Sequence, residues 1–363
     1  MKRLFTVAGL LCMWGSGLGS VQAAGFANND FSASGLAVSN AMVAGISDVT
    51  AASYNPAAIA WLDGIRAEGS FSVRSRNSSV KLLAGIQSNS GSARNGNSLN
   101  ASWMPHDSNF GLSLAFSTPF SNDTVWGGDS TSIRSDRLSL DLIYAISSTL
   151  AVAHGVDIYR TTMSMTQAGT NFSGEDQASF GINIGIHWKP APLWQMGMML
   201  RSGTKTKVKS GSQLVDLKLP EQITLGISHD VADALRFEAD IAYERWSRIK
   251  NLNVQGGTMN YAADLKDTLA IKTGLTWYWL PDTAFRFGYA YEQGANRTSA
   301  FQAAIADQSG HRLSLGAGGE VFDVYINVAY AYTYHRKLSV SAPVVSEYRD
   351  REQSMMISVS KEF

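Results

Sequence analysis

Alternation of apolar with polar or small residues recurs along most of the chain. Phe110, Leu112, Leu114 and Phe116 alternate with Gly111, Ser113, Ala115 and Ser117. Phe180, Ile182, Ile184, Ile186 and Trp188 alternate with Gly181, Asn183, Gly185 and His187. Phe237, Ala239, Ile241 and Tyr243 oppose Arg236, Glu238, Asp240 and Glu244, and Phe285, Phe287, Tyr289 and Tyr291 oppose Arg286, Gly288, Ala290 and Glu292. A period of two is the signature of β-strands with one greasy face. It predicts strands over 65–76, 97–104, 109–118, 135–146, 149–163, 178–188, 193–203, 219–228, 235–247, 268–279, 283–292, 309–318, 322–334 and 353–363.

The connections divide into two kinds. After odd-numbered strands they are long (77–96, 119–134, 164–177, 204–218, 248–267, 293–308 and 335–352); after even-numbered ones they are short, around Pro105, Ser147, Pro190, Asp230, Pro281 and Gly319. Long extracellular loops alternating with short periplasmic turns mark an outer-membrane barrel. A soluble sandwich has no reason to sort its loops this way. Trp103, Trp188, Trp194, Trp277 and Trp279 all fall beside short turns, where an interfacial girdle would sit. The fold class expected is therefore all-β, an antiparallel transmembrane barrel of about fourteen strands over 65–363. No stretch offers about eighteen uninterrupted apolar residues, so no transmembrane helix is expected.

Composition adds little to this and subtracts several alternatives. Thirty basic and thirty acidic residues balance, which argues against nucleic-acid binding. Lys2 and Arg3 precede a short apolar run, Leu4 to Trp14, and Val21-Gln22-Ala23 supplies small residues for cleavage; residues 1–23 read as a signal peptide. The one cysteine, Cys12, lies in that segment, and Leu11 before it is too large for a lipoprotein signal. No thiol or disulfide is then expected in the mature chain.

Residues 24–64 break the alternation. They are rich in Ala, Gly, Ser and Asn, and Asn55-Pro56-Ala57 reads as a cap and first turn of a short helix through Trp61. A fourteen-stranded wall leaves a lumen unless something fills it. This segment is expected to be an N-terminal hatch, or plug, with short helices, in preference to a periplasmic extension.

At this point the sequence resembles the FadL/TodX/OmpP1 family of outer-membrane long-chain fatty acid and hydrophobic-compound transporters. The residues that carry the resemblance are Ala24-Gly25-Phe26, Phe31-Ser32-Ala33-Ser34-Gly35-Leu36, Asn55-Pro56-Ala57, Leu219-Pro220-Glu221, Leu225-Gly226, Phe285 to Tyr291 and His311 to Gly318. The resemblance implies a hatch-closed barrel that captures hydrophobic ligands at an outer groove. They then pass to a luminal site near the hatch and leave sideways through the wall. It places the extreme N-terminus beside the luminal ligand, which singles out Phe26.

Fatty acids need an apolar slot and a cation for the carboxylate. Phe26 and Phe31 are the candidates for the slot. Arg137, Arg160, Lys266, Lys272, Arg286 and Arg312 are candidates for the head group. The competing reading is that inward charges, including Arg286, simply pair across strands. Lys205, Lys207 and Lys209 alternate in a long loop and could meet lipopolysaccharide phosphates, although a solvated loop accounts for them as well.

Catalysis finds no support. Gly128-Asp129-Ser130 echoes a lipase motif without the strand–turn–helix context that would expose a nucleophile. His154 and Asp157, three apart on a strand, face opposite sides. His106-Asp107 and His229-Asp230 sit at turns, and no histidine spacing suits a metal. The expectation is a monomer without cofactor or metal, inserted by the barrel-assembly machinery. It would take up long-chain fatty acids passively, since the N-terminus holds no energy-coupling motif. Aromatic hydrocarbons are the alternative cargo, and a structural or adhesive barrel the alternative class.

Overall fold

The computed structural model describes residues 26–82, 85–89, 94–297, 303–339 and 345–363. The signal-peptide reading, with Cys12, Ala24 and Gly25, lies outside them. Fourteen antiparallel strands form a closed wall. In chain order they are β1 (Gly64–Leu82), β2 (Arg94–Met104), β3 (Phe110–Trp126), β4 (Asp129–Ala145), β5 (Leu150–Gln167), β6 (Thr170–Ala191) and β7 (Trp194–Arg201). There follow β8 (Gln222–Ala232), β9 (Leu235–Glu244), β10 (Thr268–Leu280), β11 (Thr283–Glu292), β12 (Gly310–Val321), β13 (Val324–His335) and β14 (Val345–Glu362). Closure comes from β1 against β14, paired from Arg66↔Glu362 to Leu82↔Val345. Every strand thus has two neighbours, which is what a sheet needs if no edge amide is to face hydrocarbon.

The wall is inverted relative to a soluble protein. On β6, Phe180 and Ile182 point outward at 66% and 60% exposure, while Asn183 between them and Gly185 is 1% exposed. The five tryptophans beside the short turns all face out. This is the lipid-facing band and its girdle.

Several expected loops are strand. β3 and β4 run on to Trp126 and Asp129, joined by Gly127-Gly128, and β5 and β6 run on to Gln167 and Thr170, joined by Ala168-Gly169. The echo at Gly128-Asp129-Ser130 is therefore a hairpin tip. Above the membrane the outward face is wet, so outward residues become polar and the period-two contrast fades while the hydrogen-bond ladder continues. Segment 204–218 is also no loop: Thr204–Ser210 pairs with Gln213–Leu219 as a protruding hairpin. The expected strand 219–228 consequently starts later, at Gln222, because Leu219 closes the hairpin and Pro220 has no amide to donate.

Residues 26–63 lie inside the wall. Helix α1 (Ala33–Ala37) is capped by Ser32, whose Oγ accepts from the Gly35 amide at 2.9 Å. Five residues cannot hold a helix alone; Ala33 and Leu36 are fully buried against β12–β14. Ser39 and Asn40 follow with positive φ, turning the chain along the wall. Helix α2 (Ala51–Tyr54) leads to Asn55 and a 3-10 turn, Pro56–Trp61. Asn55 Oδ1 accepts from the Ala57 amide, while its Nδ2 donates to Val43 O (2.8 Å) and to Ile186 O on β6 (3.0 Å). The Asn-Pro-Ala triplet thus fixes the hatch both to itself and to the wall.

Two cross-strand glycine pairs, Gly197↔Gly226 and Gly274↔Gly288, face the hatch. A Cβ at Gly197 would land on the Val43 carbonyl, and one at Gly288 on the backbone of Val38 and Ser39. Glycine here lets one backbone lie directly on another.

Candidate functional site

The hatch is held by inward polar side chains of the wall. Asp240 Oδ2 on β9 accepts from the Met42 and Val43 amides at 2.8 and 3.1 Å. His187 on β6 accepts from Trp61 Nε1 at 2.9 Å, so its other nitrogen carries the proton and donates to Ala44 O at 2.6 Å. Arg236 donates to Gly45 O at 2.9 Å. Asp30 pairs with Arg74 (3.0 Å) and Arg312 (2.7 Å), and Arg312 also reaches Glu352 at 3.2 Å. Burial alone would raise the Asp30 carboxyl; the two guanidiniums and the Asn40 amide override it and hold it at about 2.

Above this polar floor the interior turns apolar. Phe26 meets Trp246 edge-on with ring centroids 4.7 Å apart and Phe120 at 6.3 Å. Met163 and Met165 of β5, Val215 and Leu217 of the hairpin, and Ile249 and Leu252 of the β9–β10 loop complete a buried cluster around them. Unbranched, polarisable methionines suit a slot that must reshape around a ligand.

Between floor and cluster lies a cavity of about 60 Å³ lined by Phe31, Tyr54, Arg137, Arg201, Glu244 and Lys272, among others. It has room for a few waters and not for an acyl chain. Three of the residues expected at the ligand, Phe31, Arg137 and Lys272, converge here. Arg137 stacks over the Phe31 ring, 5.2 Å from its centroid. Arg137 is 1% exposed, donates to Ser117 Oγ at 3.3 Å, and leaves Nε without a partner. Neither it nor the buried Lys272 carries an ion pair among the described residues. Of the carboxylates nearby, Asp157 accepts Arg201 Nη1 with both oxygens at 2.7 Å and Glu244 accepts from Gln222 and Trp246, while Asp240, in register with Lys272, keeps Oδ1 without a hydrogen bond.

Other candidates fall elsewhere. Arg160 is a correction: it points out of the barrel, 62% exposed, and pairs with Glu175 at 2.9 Å. Inward positions on β5 are odd-numbered in this stretch, so Arg160 shares the lipid-side face with His154. Lys266 lies half-buried in the β9–β10 loop, its amide bonded to Ala295 O, away from the cavity. Arg312 anchors the hatch, and Arg286 donates to Asn327 at 2.8 Å. Among head-group candidates, Arg137 and Lys272 alone line the cavity.

Among the described residues, the ladder beside β2 is incomplete. β2 pairs with β1 over its whole length, yet with β3 only from Leu99↔Phe116 to Trp103↔Leu112. Above that, β3 bulges between Ser117 and Phe120, around Pro119, and turns to the hatch: Phe120 bridges Ala27, Asn28 N donates to Pro119 O at 2.6 Å, and Ser121 N donates to Phe26 O at 2.7 Å. A proline within an otherwise regular strand is the signal for such an edge.

A closed wall with a lipid-facing band, a seated hatch and an apolar chamber with buried cations define a hatch-gated outer-membrane β-barrel channel. The family described as "Outer membrane protein transport protein (OMPP1/FadL/TodX)" matches residues 16–359. The chain belongs to this family; it is a hydrophobic-compound transporter of the Gram-negative outer membrane. No curated protein sequence matches it significantly. Similar solved structures include a Pseudomonas aeruginosa FadL homologue (15% identity, TM-score 0.80, 96% of this chain and 100% of that one) and the Pseudomonas putida toluene transporter TodX (17%, 0.70, 90% and 98%). The Ralstonia pickettii toluene transporter TbuX is also similar (15%, 0.64, 90% and 98%). At these identities the likeness establishes the fold.

Proposed function

We propose that this protein mediates passive uptake of long-chain fatty acids. The observation that carries the reading is Arg137: a buried guanidinium with no ion pair among the described residues and an unpartnered Nε, its neighbour Asp157 being held by Arg201, at the cavity joining the apolar cluster to the hatch. A buried N–H donor left without an acceptor is costly, and an incoming carboxylate would supply the one that Arg137 Nε lacks. A hydrocarbon would not. The acyl chain would displace Trp246, Ile249 and Leu252 and lie against Phe26; the head group would settle between Arg137 and Lys272. The unpaired stretch between β2 and β3 is the exit, because the hatch below is bonded to the wall strand by strand. No bond is broken or made in the cargo.

Uptake of labelled oleate tests this in cells lacking the protein and in cells with it restored. Restoration raises the rate; equal rates sink the reading. A second reading, uptake of monoaromatic hydrocarbons, is favoured by the rings of Phe26, Phe120 and Trp246 and by the toluene transporters among the similar structures. Toluene uptake that survives Arg137→Gln while oleate uptake never depended on the protein would select it.

A further inference from the structure

The bulge in β3 has a cation on each side of the wall. Ser117 pairs in register with Arg137, and Ser121 with Arg134; Asp136 lies opposite the bulged residues Thr118 and Pro119. Alternation sends Ser135, Arg137 and Ser139 inward. It sends Arg134 and Asp136 outward, onto the face that Leu138, Leu140 and Leu142 carry lower down. The apolar band ends at Leu138, so Arg134 and Asp136 stand at its upper rim, beside the place where β2 and β3 part.

Consecutive hydroxyls of β3 mark the two sides. Ser117 Oγ accepts from Arg137 inside (3.3 Å), and Thr118 Oγ1 accepts from Arg134 Nη2 outside (2.9 Å). Three residues of extended chain separate the arginines, about 10 Å. Arg134 also grips Asp136, Nε to Oδ2 at 3.1 Å and Nη2 to Oδ1 at 2.8 Å, with side-chain exposures of 36% and 26%. That fork-to-carboxylate geometry shows how a carboxylate docks on this guanidinium. Asp136 also accepts from Thr118 Oγ1 at 2.6 Å and lies in register with Arg160; a partly exposed pair of this kind contributes little, so an incoming carboxylate can exchange with Asp136, which then keeps Thr118 and Arg160 as partners.

We propose that Arg134 is the outer half of a carboxylate relay: the acid's head group leaves Arg137 in the lumen, passes the Ser117–Thr118 step, and is received by Arg134 at the rim of the lipid band. The inference rests on the fatty-acid reading above. It gives the anionic head a charged stop at each face of the wall, so that the charge never crosses hydrocarbon alone.

The test uses the full-length protein in cells, with labelled oleate and its uncharged counterpart oleyl alcohol, alongside equilibrium binding of oleate to the purified protein. Arg134→Gln lowers oleate uptake by about tenfold, leaves oleyl alcohol uptake and equilibrium binding unchanged, and Arg134→Lys restores most of the loss. Asp136→Asn, which removes the resident carboxylate but keeps the guanidinium, retains oleate uptake. Unchanged oleate uptake in Arg134→Gln overturns the relay. So does an equal loss for acid and alcohol, or a loss in Asp136→Asn matching that in Arg134→Gln, since each makes the ion pair a brace for the bulge. If wild-type protein neither binds oleate nor speeds its uptake over cells lacking the protein, the fatty-acid reading fails instead, whatever Arg134 does.

Discussion

The two halves of the lumen are built on opposite principles. Below the cavity, backbone lies on backbone at glycine pairs, and hatch amides and carbonyls are met by Asp240, His187, Asn55 and Arg236. Above it, methionines, aromatic rings and loop residues fill space with few directional bonds. Hydrogen-bonded backbone packed without voids cannot shift a little; it holds or breaks. An apolar cluster can rearrange at modest cost as long as water stays out. The lower half is a closure and the upper half a reshaping chamber, and Arg137 and Lys272 stand at the boundary between them.

That contrast can be broken from below. Gly288→Val drives a branched side chain into the Val38–Ser39 backbone, overpacking by about 1–3 kcal/mol. The hatch lifts and a silent barrel becomes conductive in planar bilayers; an unchanged baseline would mean that the hatch seats without the glycine pair. At the boundary, Arg137→Gln lowers oleate affinity roughly 30-fold or more while leaving bilayer conductance silent, measured by titration of fluorescent fatty acid into purified protein. In the upper half, Phe26→Ala weakens oleate binding by about tenfold without loss of the barrel's heat-modifiable migration in gels. Unaltered affinity would remove Phe26 from the slot.

Smaller effects sharpen the picture. The Asp30 carboxyl drops from 3.8 to about 2 on folding. A depressed value stabilises above the unfolded pKa, so the contribution is complete above pH 4 and is lost as pH falls through about 2. It amounts to about 2 kcal/mol. Protease resistance of the hatch should decline over that window, and Asp30→Asn should flatten the decline. Least of all, replacing Lys205, Lys207 and Lys209 with Gln should reduce co-purifying lipopolysaccharide modestly, by phosphate assay. The three share one outward face of the hairpin, and Lys205 is already tied to Asp216 at 3.0 Å.

The wall was legible because lipid imposes one rule on every strand, and fourteen weak signals agree. Where lipid ends, so did legibility: the extensions to Trp126 and Gln167 and the hairpin 204–219 keep the β ladder but have water on their outer side. Arg137 and Lys272 were visible as inward cations. Arg160 was misread although parity already condemned it, since it lies three residues from inward Asp157, the rule that separates His154 from Asp157. Trp246 and its loop neighbours were missed because a buried loop has no period; the clue was a tryptophan followed by Ile249, Leu252 and Val254 in a segment otherwise polar. The bulge was hidden because Pro119 fell at the start of an expected loop, where a proline carries no signal.

Pro119 has one further consequence. On the proposed route, an outlet beside Pro119 empties into the bilayer and not into the aqueous periplasm. The receiving phase is then hydrocarbon, and the driving force is a partition coefficient. Each methylene adds about 0.8 kcal/mol of preference for that phase, close to fourfold in concentration. Preference for longer chains would then be exerted largely by the membrane itself, and the protein need only recognise that the molecule is greasy and ends in a carboxylate.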